Sequence, residues 1–254
     1  MSDWTALVAG VRQHLAALED AGCDVPFFRG HSGDWALLCG LGRRALDRRD
    51  RPLESVLYYD FISQAGPLLQ RPDSSWDVLF TMQHHGISTR LLDWSATFAV
   101  AVYFALKPQL DCKLNGRPIT PGLRPSVWVL DPFALNIQTS GHEGVLNPEI
   151  DLEGTYKEFF VDGVKQLKES VLAVNPTQHG RRIGAQRGYF TLHSELFKPL
   201  DQIASACLRQ FEIPETAVVE GLDFLALSGT NEFSLFPDLD GLARHLKGKH
   251  ANWM

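Results

Sequence analysis

Gln83-His84-His85-Gly86-Ile87-Ser88-Thr89-Arg90-Leu91-Leu92-Asp93-Trp94-Ser95 is followed, two residues on, by Phe98-Ala99-Val100-Ala101-Val102-Tyr103-Phe104-Ala105-Leu106. The first stretch gathers imidazoles, an amide, hydroxyls, a guanidinium, a carboxylate and an indole. The second is wholly apolar and reads as a buried helix over 96–107. Polar chemistry therefore stands at the mouth of a core element. A polar group entering a core costs roughly 1–3 kcal/mol if left without a hydrogen bond. The stretch thus encodes either a fixed network or a site. Just upstream, Trp76 to Met82 reads as a helix that stops at Gly86, and Ile87 to Trp94 then reads as a loop. Adjacent His84 and His85 cannot share one helix face. With no HExxH spacing anywhere, a metal site is not expected.

Moving outward on the N-terminal side, Trp4, Leu7, Val8, Val11, Leu15 and Leu18 recur at helical spacing. They predict a packing helix within residues 1–24, with Asp3 as its N-cap. Val25-Pro26-Phe27-Phe28-Arg29-Gly30 reads as a short buried strand that delivers an arginine and turns at glycine, and His31 to Trp35 continues as a polar loop. A guanidinium at the end of an apolar strand needs a partner. Its planar fork suits phosphate or carboxylate, so Arg29 is either a ligand grip or half of a structural Arg–Asp pair. Arg43, Arg44, Arg48, Arg49 and Arg51 form a basic cluster, read as a solvated helix face or as a nucleic-acid contact. Ser55 to Gln64 reads as helix.

On the C-terminal side, Lys107 to Pro125 reads as a surface connection and Ser126 to Asp131 as a strand ending in a turn at Pro132. A loop-rich insertion spans about 139–165, and its acidic part, 139–158, reads as a lid or a solvated loop. Val171 to Pro176, a segment from Gly188, and Leu208 to Ile213 read as strands. The alternation after Gly188 sets Phe190 and Leu192 on one face and Tyr189 and Thr191 on the other. Glu215 to Leu227 reads as helix, and a short helix closes at about Leu246. The expected fold is α+β: one domain with a central mixed or antiparallel sheet flanked by helices.

The 254 residues, 44% apolar and 21% charged, suit a globular chain able to bury its own core. A net charge of −6 argues against a chain that coats nucleic acid but allows a local basic groove. Cys23, Cys39, Cys112 and Cys207 are scattered without CxxC spacing, which fits a reducing cytoplasm. Neither a signal peptide nor a membrane span is expected. There is no GxSxG elbow, no GxxxxGK[ST] loop and no GxGxxG, so serine hydrolase and standard phosphate-loop chemistries find no support.

Several segments resemble the FRG domain family. Phe28-Arg29-Gly30 resembles the motif that names it. Gln83 to Ser95 with Ala101-Val102-Tyr103-Phe104-Ala105 resembles its longest signature, QHxGxxTRLLDWTxxxxxAxYFA. Gln186-Arg187-Gly188-Tyr189-Phe190-Thr191 is similar to its QxGxF segment, and Thr230-Asn231-Glu232-Phe233-Ser234-Leu235-Phe236-Pro237-Asp238-Leu239 to its GINExxLFPDL close. Thr230 stands where the pattern has Ile, and His85 where Tyr is usual. The resemblance implies a domain over 25–248.

The order of these motifs also resembles, more weakly, ADP-ribosyltransferases of the Arg–Ser/Thr–Glu type. That likeness implies an ADP-ribosyltransferase-like fold with NAD as co-substrate. Arg29 would hold the pyrophosphate or the nicotinamide ribose, with Gly30 and His31 beside it. Thr89 would orient the ribose, and Glu232 would stabilise the positive charge that develops there. Gln83 and His84 would position nicotinamide or the acceptor, and Gln186 would line the cleft. Arg90 and Asp93 either belong to the ligand site or form an ion pair that fixes the loop. The acceptor would be DNA, RNA or protein, in the manner of a toxin or anti-phage effector with a neutralising partner. The alternatives are an NAD glycohydrolase, or a nucleotide- or nucleic-acid-binding module without chemistry.

Overall fold

A computed structural model describes residues 1–48, 54–66, 68, 74–114, 122–176 and 181–250. Six strands form a single sheet: β1 (Phe27–His31), β2 (Leu91–Ser95), β3 (Ser126–Leu130), β4 (Val171–Val174), β5 (Gly188–His193) and β6 (Leu208–Glu212), in spatial order β4-β5-β2-β1-β3-β6. Every neighbouring pair is antiparallel, so the expected α+β class holds and the mixed-sheet option does not. The helices are α1 (Asp3–Asp20), α2 (Gly40–Arg48), α3 (Glu54–Ala65), α4 (Ser75–His84), α5 (Phe98–Leu114) and α6 (Pro132–Ser140). They continue with α7 (Pro148–Asp151), α8 (Arg181–Gln186), α9 (Leu200–Ile203), α10 (Val218–Leu227), α11 (Glu232–Leu235) and α12 (Leu239–Lys249). No described helix is long and apolar enough to cross a membrane.

Strand alternation and pairing register sort the core into layers. On one face Phe28, Val127 and Val129 pack under α5, α10 and α1. Farther along the same face Leu91, Leu172, Val174, Phe190 and Leu192 pack under α3 and α4. On the other face Phe27, Leu92, Trp94, Leu130 and Ala173 are covered by Leu37, Leu41, α6 and α9. Phe190 and Leu192 on one side, with Tyr189 and Thr191 on the other, match the expected alternation.

One seam in this sheet differs from the rest. β1 pairs with β3, β2 with β5 and β3 with β6 over five residue pairs each, and β4 pairs with β5 over four. The two central strands β1 and β2 share one pair, Phe28 with Ser95. Beyond it Arg29, Gly30 and His31 have no partner on β2, and the two strands present unpaired edges to each other.

Several expectations change. Ile87 to Trp94 is not all loop, because Leu91 to Ser95 is the central strand β2. Both of its faces are covered, so it lacks the apolar–polar alternation of a half-exposed strand. Asp131-Pro132 is not a turn: Asp131 accepts from the amides of Phe133 and Ala134 and caps α6, with Pro132 in its first turn. The helix cap at the N-terminus is Ser2, whose hydroxyl accepts from the Thr5 amide, and Asp3 lies inside α1. α5 runs through Lys107 and Pro108 to Leu114, and 115–121 lie outside the described residues. Of the basic cluster, Arg49 and Arg51 also lie outside them. Residues 139–165 contain α7 and a π-helical turn, Lys157–Val161, and bury Tyr156 against α3 and α4.

Candidate functional site

Two local devices set the geometry around the β1–β2 seam. The first is Gly30. A Cβ there would lie 1.9 Å from the Ala101 carbonyl oxygen and 2.6 Å from the Ala105 nitrogen. Only glycine lets α5 lie directly on β1, and the two alanines, four residues apart, make the matching flat face. The second is the end of α4. Gly86 takes φ 78°, donating to the Gln83 carbonyl, while Ile87 donates to the Met82 carbonyl. This is a Schellman stop, and it leaves Gln83 facing the seam.

A cleft of about 1000 Å³ opens at the seam. Its charged and amide walls are Arg29, Asp34, Arg43, Gln83, Asp93 and Gln186. Phe28, Ala101 and Phe104 form an apolar floor, and Trp35 stands at the mouth with 58% of its surface exposed. The volume is at the upper end of the range usual for small-molecule sites, about 300–1,000 Å³.

Arg29 is fixed by its own neighbours. Its Nη1 donates to the Asp93 main-chain carbonyl at 2.6 Å, across the gap left by the missing β1–β2 pairing. Its Nε donates to His31 Nε2 at 3.1 Å. Among the described residues no carboxylate reaches it as an ion pair. The structural Arg–Asp pair, one of the two readings of Arg29, is not formed, and a carbonyl and an imidazole hold the guanidinium instead. Burial lowers the guanidinium to about 10, the Asp93 charge opposes this, and Arg43 adds to it. Arg29 remains a cation at neutral pH. Burial, then Arg29 and Arg43, push His31 down to about 3. The imidazole is neutral, and because Nε2 accepts from Arg29 its proton sits on Nδ1. That nitrogen is buried near the Trp35 main chain and completes no hydrogen bond of good geometry.

Thr89 does not line the cleft. It is buried, its Oγ1 accepts from the Leu91 amide at 3.1 Å, and its hydroxyl donates to Gln83 Oε1 at 2.5 Å. Gln83 Nε2 then donates to Asp93 Oδ2 at 2.8 Å. Asp93 is the one exposed residue of β2.

Arg90 and Asp93 are not an ion pair. Arg90 turns into the core, where Nε donates to Glu54 Oε1 at 2.8 Å and Nη2 meets Oε2. Its Nη1 donates to the His193 carbonyl at 2.5 Å, and the Phe160 ring lies 3.7 Å from its guanidinium carbon. Tyr156 donates to the same Glu54 carboxylate at 2.7 Å. The pair is fully enclosed and structural.

Glu232 stands apart from the cleft lining. Its carboxylate accepts from Tyr103, from Lys107 Nζ at 3.3 Å and from Arg244 Nε at 2.6 Å. Burial alone would raise this carboxyl, but the hydrogen bonds from Tyr103 and Arg244 and the Lys107 charge hold it below its ordinary value. The network ties α11 and α12 to α5. Gln186 does line the cleft; its side-chain Nε2 donates to the Leu235 main-chain carbonyl at 3.1 Å, and its main-chain carbonyl accepts from Ser95 Oγ at 2.6 Å. His84 packs edge-on to His85 and is not part of the lining.

The structure thus brings Arg29, Gly30, His31, Gln83, Asp93 and Gln186 together around one space. It puts Thr89 behind them and Arg90, Glu232 and His84 elsewhere. Sequence reasoning missed Asp34 and Trp35, which sit in a stretch read only as polar loop. Their signal was a tryptophan two residues after Gly33 in a polar setting, where no core position explains it. Arg43 was visible only as part of a charge cluster. Among the described residues no group of His, Cys, Asp and Glu could hold a metal ion.

Compared with known proteins, the chain gives no significant match to any curated protein or solved structure. Residues 25–113, which carry β1, α4, the Thr89–Gln83–Asp93 chain and nearly all of α5, match the FRG domain, and the chain carries an FRG domain over that span.

Proposed function

We propose that the cleft binds a phosphorylated nucleotide, that this ligand is NAD, and that it is consumed by ADP-ribosyl transfer. The observation that carries the reading is Arg29: a half-buried guanidinium whose hydrogen bonds go to a carbonyl and an imidazole and which has no carboxylate ion pair among the described residues, lining a cleft of about 1000 Å³. A partly desolvated cation without an ion-pair partner is favourable ground for an anion, and a guanidinium fork fits phosphate oxygens with two parallel bonds. Arg43 supplies a second positive charge on the same wall, and the open face of Trp35 suits a nucleobase.

Breaking the nicotinamide–ribose bond of NAD develops positive charge on the ribose. Fixed polar groups around that atom stabilise it, and removing one such group from a preorganised site costs about 3–4 kcal/mol. The carboxylates that line the cleft are Asp34 and Asp93, not Glu232. Thr89 acts through Gln83 rather than on the ligand. The acceptor would be DNA, RNA or protein, with water giving simple NAD hydrolysis. Such an enzyme would act in the cytoplasm, where NAD is held, as a toxin or defence effector needing a neutralising partner.

A second reading, nucleotide recognition without chemistry, is favoured by one specific feature. The carboxylate that the motif order assigns to catalysis is already taken by Tyr103, Lys107 and Arg244. The test is incubation with NAD labelled in the ADP-ribose half, with DNA, RNA and protein as acceptors, for wild type, Arg29→Met and Glu232→Gln. The reading expects labelled acceptor with wild type, none with Arg29→Met, and retained transfer with Glu232→Gln below its melting temperature. A folded but inactive Glu232→Gln would return Glu232 to the reaction. Nucleotide binding with NAD left intact would select the second reading, and absence of both would sink the two together.

A further inference from the structure

The hydrogen bonds behind the cleft determine which oxygen faces it. The Leu91 amide donates to Thr89 Oγ1, so the Thr89 proton is directed to its other neighbour, Gln83 Oε1. That fixes the Gln83 amide with its oxygen toward Thr89 and its Nε2 toward Asp93 Oδ2. The Asp93 main chain is held as well, by Arg29 on its carbonyl. One side-chain oxygen is left over. Asp93 Oδ1 has no hydrogen bond among the described residues, and it belongs to the exposed residue of a strand whose neighbours are all buried. Sheet and amide together present an acceptor-only atom to the cleft at the parting of β1 and β2.

An ionised carboxylate repels phosphate and accepts from hydroxyl groups. Arg29 and Arg43 attract phosphate. A ligand that satisfies all three carries a phosphate next to a hydroxyl-bearing unit, which is the ribose–phosphate element of a nucleotide. We propose that Asp93 Oδ1 accepts hydrogen bonds from the ribose hydroxyls of the bound nucleotide, with Gln83 and Thr89 as positioning residues, so that the cleft selects nucleotides that carry those hydroxyls over nucleotides that lack them. This rests on the nucleotide reading above and adds the sugar to it. Hydrogen bonds to a charged group are worth enough to give roughly ten- to hundred-fold discrimination at a partly solvated site.

The experiment is calorimetric titration with ADP and with 2′,3′-dideoxy-ADP. Wild type should bind ADP at least about ten-fold more tightly than the dideoxy nucleotide. Asp93→Ala should weaken ADP and bring the two affinities together. Thr89→Val should reduce the ratio, and Thr89→Ser, which keeps the donor, should restore it; a merely structural role would lower both affinities and leave the ratio alone. Arg29→Met should weaken both nucleotides. Equal affinities in wild type, or a ratio that persists in Asp93→Ala, would overturn this inference while leaving the nucleotide reading standing. Failure of wild type to bind either nucleotide would overturn both.

Discussion

Alanine at Gly30 tests whether the seam is built on close approach of α5. The new Cβ would lie 1.9 Å from the Ala101 carbonyl oxygen and 2.6 Å from the Ala105 nitrogen. Ordinary contact begins near about 3.5 Å, so helix and strand must separate by well over 1 Å. Both obstacles are backbone, and no rotamer change can absorb the clash. Overpacking costs about 1–3 kcal/mol where side chains give way, and Gly30→Ala should reach about 3 kcal/mol or more. Gly86→Ala is the matched control. Gly86 has φ 78° with nothing within 4 Å of its would-be Cβ, so it carries backbone strain alone, about 1–2 kcal/mol. For a chain of this size 3 kcal/mol corresponds to roughly 6–12 °C in melting temperature. Urea unfolding followed by circular dichroism reads both variants. The reasoning fails if Gly30→Ala loses no more stability than Gly86→Ala at unchanged m-value. Because Ala101 and Phe104 of α5 also wall the cleft, the surviving Gly30→Ala protein should bind nucleotide more weakly even where it is fully folded.

Removing Glu54 leaves Arg90 buried without its anion, and Glu54→Ala should cost about 3–5 kcal/mol in urea unfolding. Adding Arg90→Met should recover most of that loss, and a single-variant cost under about 1 kcal/mol would refute the enclosed pair. Acid should weaken the fold through two neutral histidines, both held down to about 3: His31, by burial and then Arg29 and Arg43, and His193, by burial and then Arg90 and Arg29. Their unfolded pKa is near 6.5, so below that pH the unfolded chain takes up protons that the native chain refuses. Their contribution is present above about pH 7 and falls as pH drops toward 5, approaching about 1.4 kcal/mol per pH unit for each histidine. His193→Gln should remove one of the two slopes in urea melts at pH 7, 6 and 5, and an unchanged slope would show that His193 does not stay neutral.

Elements whose residues keep a regular apolar–polar period were legible from the residues, even where, as in β5, both faces are covered. α1 is amphipathic, β5 alternates, and α4 ends at a glycine that the left-handed backbone requires. β2 was not legible, because Leu91 and Leu92 send apolar side chains to both faces and the strand lacks the apolar–polar alternation that β5 keeps, so Leu-Leu-Asp-Trp-Ser resembles a loop. α6 was hidden because Asp-Pro is written the same way in a turn and in a capped helix start. In the site, Arg29 was legible as a strand-end guanidinium in need of a partner. Its actual partners, a carbonyl and an imidazole, depend on the failure of β1 and β2 to pair, which is a tertiary property with no local signature.

The same limit explains how the central motif divides its work. Arg90 and Asp93 are three residues apart with opposite charges, and on spacing alone they are natural partners. The backbone between them enters a strand, and the two side chains leave in different directions. Arg90 finds Glu54, which precedes it by thirty-six residues, and Asp93 finds Gln83. Glu54 itself opens α3 with nothing in its neighbourhood to mark it as buried. Arg90 is thus neutralised by a residue outside the motif, while Asp93 keeps its charge and is held by the amide at the motif's own start. Arg90 is matched by a carboxylate and can hold the core together. Arg29 is hydrogen-bonded by neutral groups only, with the Asp93 carboxylate near it but bonded to Gln83, and that leftover charge is the reason the seam between β1 and β2 is proposed as a site.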